Sequence, residues 1–116
     1  MKKTIILLII ILFCNKIKAQ TQIELNQNAT IKYQKTDAKL NEIYNQLINI
    51  LDIPQKKLLI IAQKNWIKFR DSNCKFEISD YNGGSIQTLI YSNCLIECTQ
   101  IRIKQLSENL KYKKQL

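Results

Sequence analysis

Only three residues in this chain break a helix by their backbone alone: Pro54, Gly83 and Gly84. Over 116 residues, so few breakers leave little scope for a fold of short strands and frequent turns. Beyond the N-terminal segment they mark off three long stretches, and each carries apolar residues at helical spacing. From about Ile23 to Leu51 the stripe is Leu40, Tyr44, Leu47 and Leu51, widened by Ile43 and Ile48. From about Gln55 to Ile78 it is Leu59, Ala62, Trp66 and Phe69, flanked by Leu58 and running on to Asn73 and Cys74. From about Ile86 to Tyr112 it is Tyr91, Cys94, Cys98 and Ile101, with Leu95, Arg102 and Leu106 alongside. No stretch alternates apolar and polar residues over a strand length. The expected fold is all-α, an antiparallel three-helix bundle running up, down and up, with Asp80–Ser85 as its glycine turn.

The N-terminus reads differently. Lys2 and Lys3 precede an almost wholly aliphatic run from Thr4 to Phe13. A basic start and about ten apolar residues make the pattern of a secretion signal, and the run falls short of the roughly twenty that a spanning helix needs. Ala19 is small and Gln20 opens a polar stretch. Cleavage is therefore expected after Ala19, giving a signal peptide, 1–19, and a mature domain, 20–116, that is periplasmic or secreted. Cys14 offers a lipidation point, but Phe13 is bulky where a small residue belongs, so a cysteine discarded with the signal is preferred. The whole chain carries a formal +9. Loss of Lys2, Lys3, Lys16 and Lys18 leaves fourteen basic residues against nine acids, or +5, with Lys111, Lys113 and Lys114 gathered near the C-terminus. Such a tail suits a helix C-terminus and also allows weak contact with a membrane or an anionic polymer.

Export places Cys74, Cys94 and Cys98 in an oxidising compartment, where disulfides persist. In an antiparallel helix pair the depths of Cys74 and Cys94 differ by about 6 Å, and Cys98 lies about 6 Å deeper again. A disulfide needs Cα atoms roughly 4.4–6.8 Å apart, which favours Cys74–Cys94 and leaves Cys74–Cys98 as the alternative. Cys98 would then be a lone thiol, most simply a buried apolar residue. Zinc would need all three thiolates and an acid in a chain without histidine, so no metal or cofactor is expected.

Several fragments, taken in order, resemble a known family. They are Asp37-Ala38-Lys39-Leu40-Asn41-Glu42-Ile43-Tyr44, Ala62-Gln63-Lys64-Asn65-Trp66, Arg70-Asp71-Ser72-Asn73-Cys74, Gly83-Gly84-Ser85, and then Cys94, Thr99, Arg102 and Leu106. In this order and spacing the chain resembles the LprI-like lysozyme inhibitor N-terminal domain family over nearly the whole mature length. The resemblance implies a small exported bacterial domain, helical, with a Cys74–Cys94 bridge, from a family named for inhibiting lysozyme. Two positions depart from the pattern. Asn28 stands where many members carry a cysteine, and Cys98 stands where an aliphatic residue is more usual, which leaves the pairing of Cys98 open.

The first stripe, projected backwards, passes Asp37 and Tyr33. A carboxylate on a bundle-facing line must be paired, because burying it alone is costly. In an antiparallel register Asp37 lies level with about Arg70. The expected ion pair is therefore Asp37–Arg70, with bidentate geometry open to it and Arg102 as the alternative partner.

Catalysis has little to work with here. Histidine is absent, Ser85 lacks a base and a nucleophile elbow, Cys98 lacks a histidine partner, and the acids are scattered. The expectation is a non-catalytic binding protein whose partner is a lysozyme or a cell-wall component. For a lysozyme, the candidate binding loop is Tyr81, Asn82, Gly83, Gly84 and Ser85, small and polar enough to enter a sugar cleft, with Arg70 or Lys75 adding charge. On the plainer reading Gly83 and Gly84 merely reverse the chain. The other function class is an envelope-interaction module that works through the lysine-rich C-terminus. Nucleic acid is not expected, since the basic residues are dispersed and export removes the usual targets.

Overall fold

The computed structural model describes residues 1–17 and 21–116. Among the described residues the regular elements are all helical: α1 (Lys2–Ile50), α2 (Ile53–Glu77), a single 3-10 turn at Ser79–Tyr81, and α3 (Ile86–Gln115). Pro54 sits in the first turn of α2, where its missing N–H costs nothing. The Asp52 carboxylate accepts the Gln55 backbone N–H at 2.8 Å and caps that turn. Cap and proline together start α2 at Ile53, ahead of the expected Gln55. At the other end of the chain α3 runs past Tyr112, with Lys113 and Lys114 in its last turn, where cations suit the helix dipole.

α1 begins at Lys2 rather than near Ile23. Neither Gly nor Pro occurs between Lys2 and Ile50, so the sequence holds nothing to stop a helix there. The apolar side chains from Ile5 to Phe13 are 47–64% exposed. Near its N-terminus α1 is long and apolar enough to cross a membrane, a test that a signal sequence also passes. Cys14 is exposed. The expected cleavage point after Ala19 lies outside the described residues.

The chain runs up, down and up. The Asn26 side-chain amide donates to the Ser85 carbonyl at 3.0 Å, just ahead of α3. Further along, Leu40, Ile43 and Leu47 cluster with Leu106 and Leu110. α1 and α3 therefore lie side by side in the same direction, and α2 returns antiparallel against α3, reaching α1 through side chains such as Arg70. Leu40 and Leu47 are 2% exposed and Leu106 is fully buried. Each such leucine contributes about 1.5–3 kcal/mol of burial. Leu51, Leu59, Trp66 and Ile103 pack round this cluster. Towards the glycine corner the inward line of α1 continues in alternating steps of four and three, through Thr36, Tyr33, Ala29, Asn26 and Gln22. The core thus turns from apolar at one end to polar and sulfur-linked at the other.

Two stripes are rotated from their expected faces. On α2, Ala62 and Phe69 point outward, Phe69 being 63% exposed, and the buried line is Gln63, Arg70 and Cys74. On α3, Ile101 is 56% exposed, and the buried residues are Ser92, Leu95, Ile96, Thr99, Leu106 and Leu110. The cause is common to both helices. Arg70 and Cys74 are four apart on one line of α2, and bringing them against Thr99 and Cys94 turns each helix by about one residue from its most apolar face.

Candidate functional site

The corner between α2 and α3 is exposed but tied down. The Ile78 N–H donates to the Cys74 carbonyl at 3.2 Å, and the Tyr81 N–H to the Ile78 carbonyl at 3.0 Å. The Ser79 hydroxyl donates to the Phe76 carbonyl at 2.6 Å. The Gly84 N–H reaches the Tyr81 carbonyl at 3.4 Å, and the Gln87 N–H reaches the Gly84 carbonyl at 3.1 Å, which leads the chain into α3. Tyr81, Asn82, Gly83, Gly84 and Ser85 are all exposed.

The two glycines are not equivalent. Gly83 has φ +73° and open space where a Cβ would stand, whereas a Cβ on Gly84 would make an ordinary 3.7 Å contact with Ile86 Cγ2. Gly83→Ala is therefore expected to cost about 1 kcal/mol from backbone strain alone, and Gly84→Ala to be neutral or slightly stabilising. Urea midpoints of the two variants separate these outcomes.

Beneath the corner Cys74 and Cys94 are joined, with Cα atoms 5.6 Å apart. The sulfurs of Cys74, Cys94 and Cys98 all lie within 4.8 Å of one another. That closeness explains why helix depth separated the two candidate bridges so narrowly. Cys98 is half-buried rather than buried. It opens on a groove of about 490 Å³ between α2 and α3, lined also by Asn73, Glu77, Glu97 and Ile101. Burial, reinforced by the Glu97 carboxylate, pushes the Cys98 thiol pKa up, against the pull of Arg70 and Asn73. A three-thiolate metal site would require the bridge to be reduced first.

The polar end of the core is organised by Arg70, which is 7% exposed. Its Nε donates to Asp71 Oδ1 at 2.9 Å. Its Nη1 donates to Asp37 Oδ1 at 3.3 Å and to Thr99 Oγ1 at 3.5 Å. The guanidinium carbon lies 5.1 Å from the Trp66 ring centroid and 5.6 Å from that of Tyr33, within cation–π range. Burial alone would lower the Arg70 pKa. The hydrogen bond to Asp71 and the surrounding negative groups outweigh it, and the net shift is upward. Burial raises the Tyr33 pKa, more than the Arg70 charge lowers it. The contact with Asp37 is not bidentate, because Asp71, one residue along α2, occupies the Nε edge.

Arg102 does not reach Asp37. Its Nε donates to Gln63 Oε1 at 3.0 Å and its Nη1 to Gln105 Oε1 at 3.2 Å, and its guanidinium lies 5.8 Å from the Trp66 centroid. Burial lowers its pKa. Nor is Arg70 available to the corner as a free charge, since its donors are engaged inside the bundle. Lys75, exposed in the last turn of α2, is the cation near the corner. Sequence reasoning missed Asp71, Gln63 and Thr99 as partners. Asp71 is adjacent to Arg70 in the chain, but lies about 100° round the helix from the inward line.

Residues 14–106 match the family described as lysozyme inhibitor LprI. An uncharacterised protein of Rhizobium meliloti (strain 1021) is 32% identical over 104 residues, covering 78% of this chain and 75% of its own length. No solved structure matches the chain. A helical domain stapled by Cys74–Cys94 and matched along most of its length by that family carries its own conclusion: the chain belongs to the LprI lysozyme inhibitor family.

Proposed function

We propose that the exported domain, residues 20–116, is a non-catalytic binding protein that inhibits a lysozyme and so protects the cell wall, with Tyr81–Ser85 entering the enzyme's sugar cleft. Membership of the LprI family over residues 14–106 is the observation that carries this reading. The corner adds a physical reason. It offers the Tyr81 hydroxyl, the Asn82 amide and the Ser85 hydroxyl on a segment tethered at both ends, so little ordering entropy is lost on binding. The net +5 of the mature chain opposes long-range attraction to a basic lysozyme, so affinity rests on these local contacts.

The test is the lytic rate of several lysozymes in the presence of the purified exported protein. Inhibition is expected, and Tyr81→Ala together with Asn82→Ala should weaken it by at least about tenfold, or ~1.4 kcal/mol, without loss of helicity. Full inhibition by that double variant would remove the corner from the interface. Absence of inhibition, with salt-sensitive binding to peptidoglycan that is lost on neutralising Lys111, Lys113 and Lys114, would favour an envelope-interaction module instead.

A further inference from the structure

α2 carries a second surface that the bundle leaves uncovered. Leu58, Ile61, Phe69 and Phe76 fall within a sector of about 80° on the helix and span about 27 Å of its length. They are 68%, 57%, 63% and 73% exposed. Beside them run Lys57, Lys64, Lys68 and Lys75, spaced seven, four and seven residues apart and all exposed. The acids of α2 do not offset this row. Asp71 is held by Arg70, and Glu77 lines the groove on the α3 side. Single exposed apolar residues are ordinary, but four on one helix face, interrupted only by Asn65 and Ser72 and flanked by a lysine row, make the pattern of a helix lying in a membrane interface.

Charge and polarity select the occupant. A glycan or another polar polymer would satisfy the lysines and leave two phenylalanines, a leucine and an isoleucine in water. A second copy of this chain packed antiparallel would cover the apolar row, but would bring its own lysine row beside the first. A bilayer bearing anionic headgroups satisfies both rows at once. We infer that this face of α2 docks on an anionic bilayer, with Leu58, Ile61, Phe69 and Phe76 at the acyl boundary and the four lysines among the headgroups. The inference stands apart from the choice of a lysozyme as target, because it uses the side of the bundle and not the glycine corner.

Hydroxyl-radical footprinting of the exported protein reads each side chain separately. With phosphatidylglycerol–phosphatidylcholine vesicles, labelling of Phe69 and Phe76 should fall several-fold. With phosphatidylcholine alone it should not change, and added salt should restore it. Lys64→Gln with Lys68→Gln should lower the partition coefficient about 25-fold, roughly fivefold per lysine, with helicity unchanged. Unaltered labelling of Phe69 and Phe76 on anionic vesicles would overturn the inference. So would protection confined to Tyr112, which would assign the contact to the C-terminal lysines. Protection that grows with protein concentration and without lipid would mean a second copy, and would overturn it too.

Discussion

Arg70→Ala is expected to destabilise the domain by about 3 kcal/mol, the low end of the range for breaking a buried charge pair. The guanidinium side chain is 8% exposed, while its partners Asp37 and Asp71 are 37% and 41% exposed. Removing Arg70 therefore leaves carboxylates that water can still reach, which keeps the loss below the upper end of that range. Part of the loss is packing, since the Arg70 head group also lies against Trp66 and Tyr33. Asp37→Ala should cost only about 1 kcal/mol, because Asp71 still compensates the buried cation. The two losses should not add. A double-mutant cycle is expected to return a coupling of about 0.5–1 kcal/mol between residues 37 and 70, and strictly additive losses would show that the contact contributes nothing.

Reduction of the Cys74–Cys94 bridge is the other large effect. The bridge joins residues 20 apart, for which loop-closure entropy gives about 3 kcal/mol. In a domain of this size that corresponds to a fall in Tm of roughly 15 °C. The two cysteines should not respond alike to replacement. Cys94→Ser leaves Cys98, whose sulfur already lies within 4.8 Å, as a substitute partner for Cys74. Cys74→Ser leaves Cys94 and Cys98 on one helix, whose union would close a loop too short to constrain the unfolded chain. Cys94→Ser is therefore expected to retain part of the stability, with a Cys74–Cys98 bond found by peptide mapping. Equal losses in the two variants would refute the substitution. Cys98→Ser should leave Tm nearly unchanged.

The helical architecture was legible because breakers are so scarce, and the corner because Gly83 and Gly84 are adjacent. Helix depth favoured the Cys74–Cys94 bridge but left Cys74–Cys98 open, because the three sulfurs lie so close together. Asp37 betrayed its need for a partner by lying on an apolar line. What could not be read was the rotation of α2 and α3. Periodicity identifies the most apolar line of a helix and takes it to be the inward one. On α2 that line carries Ala62 and Phe69, yet the bridge and the Arg70 cluster turn a more polar line inward, through Gln63, Arg70 and Cys74. Asp71 escaped for a related reason, because stripe reasoning looks three or four residues away and not at the next residue. The exposed row from Leu58 to Phe76 is the counterpart of the same rotation.

The partnership of α1 with α3 governs the order in which the protein can mature. A nascent chain emerges with α1 first, yet Leu40 and Leu47 find Leu106 and Leu110 only after nearly all the remaining residues have followed. The cluster of Leu40, Ile43 and Leu47 cannot be completed on the leading half alone, so its condensation must wait for the C-terminal third. The domain is thus built to stay open while it is being synthesised, and to collapse once, when the last helix arrives.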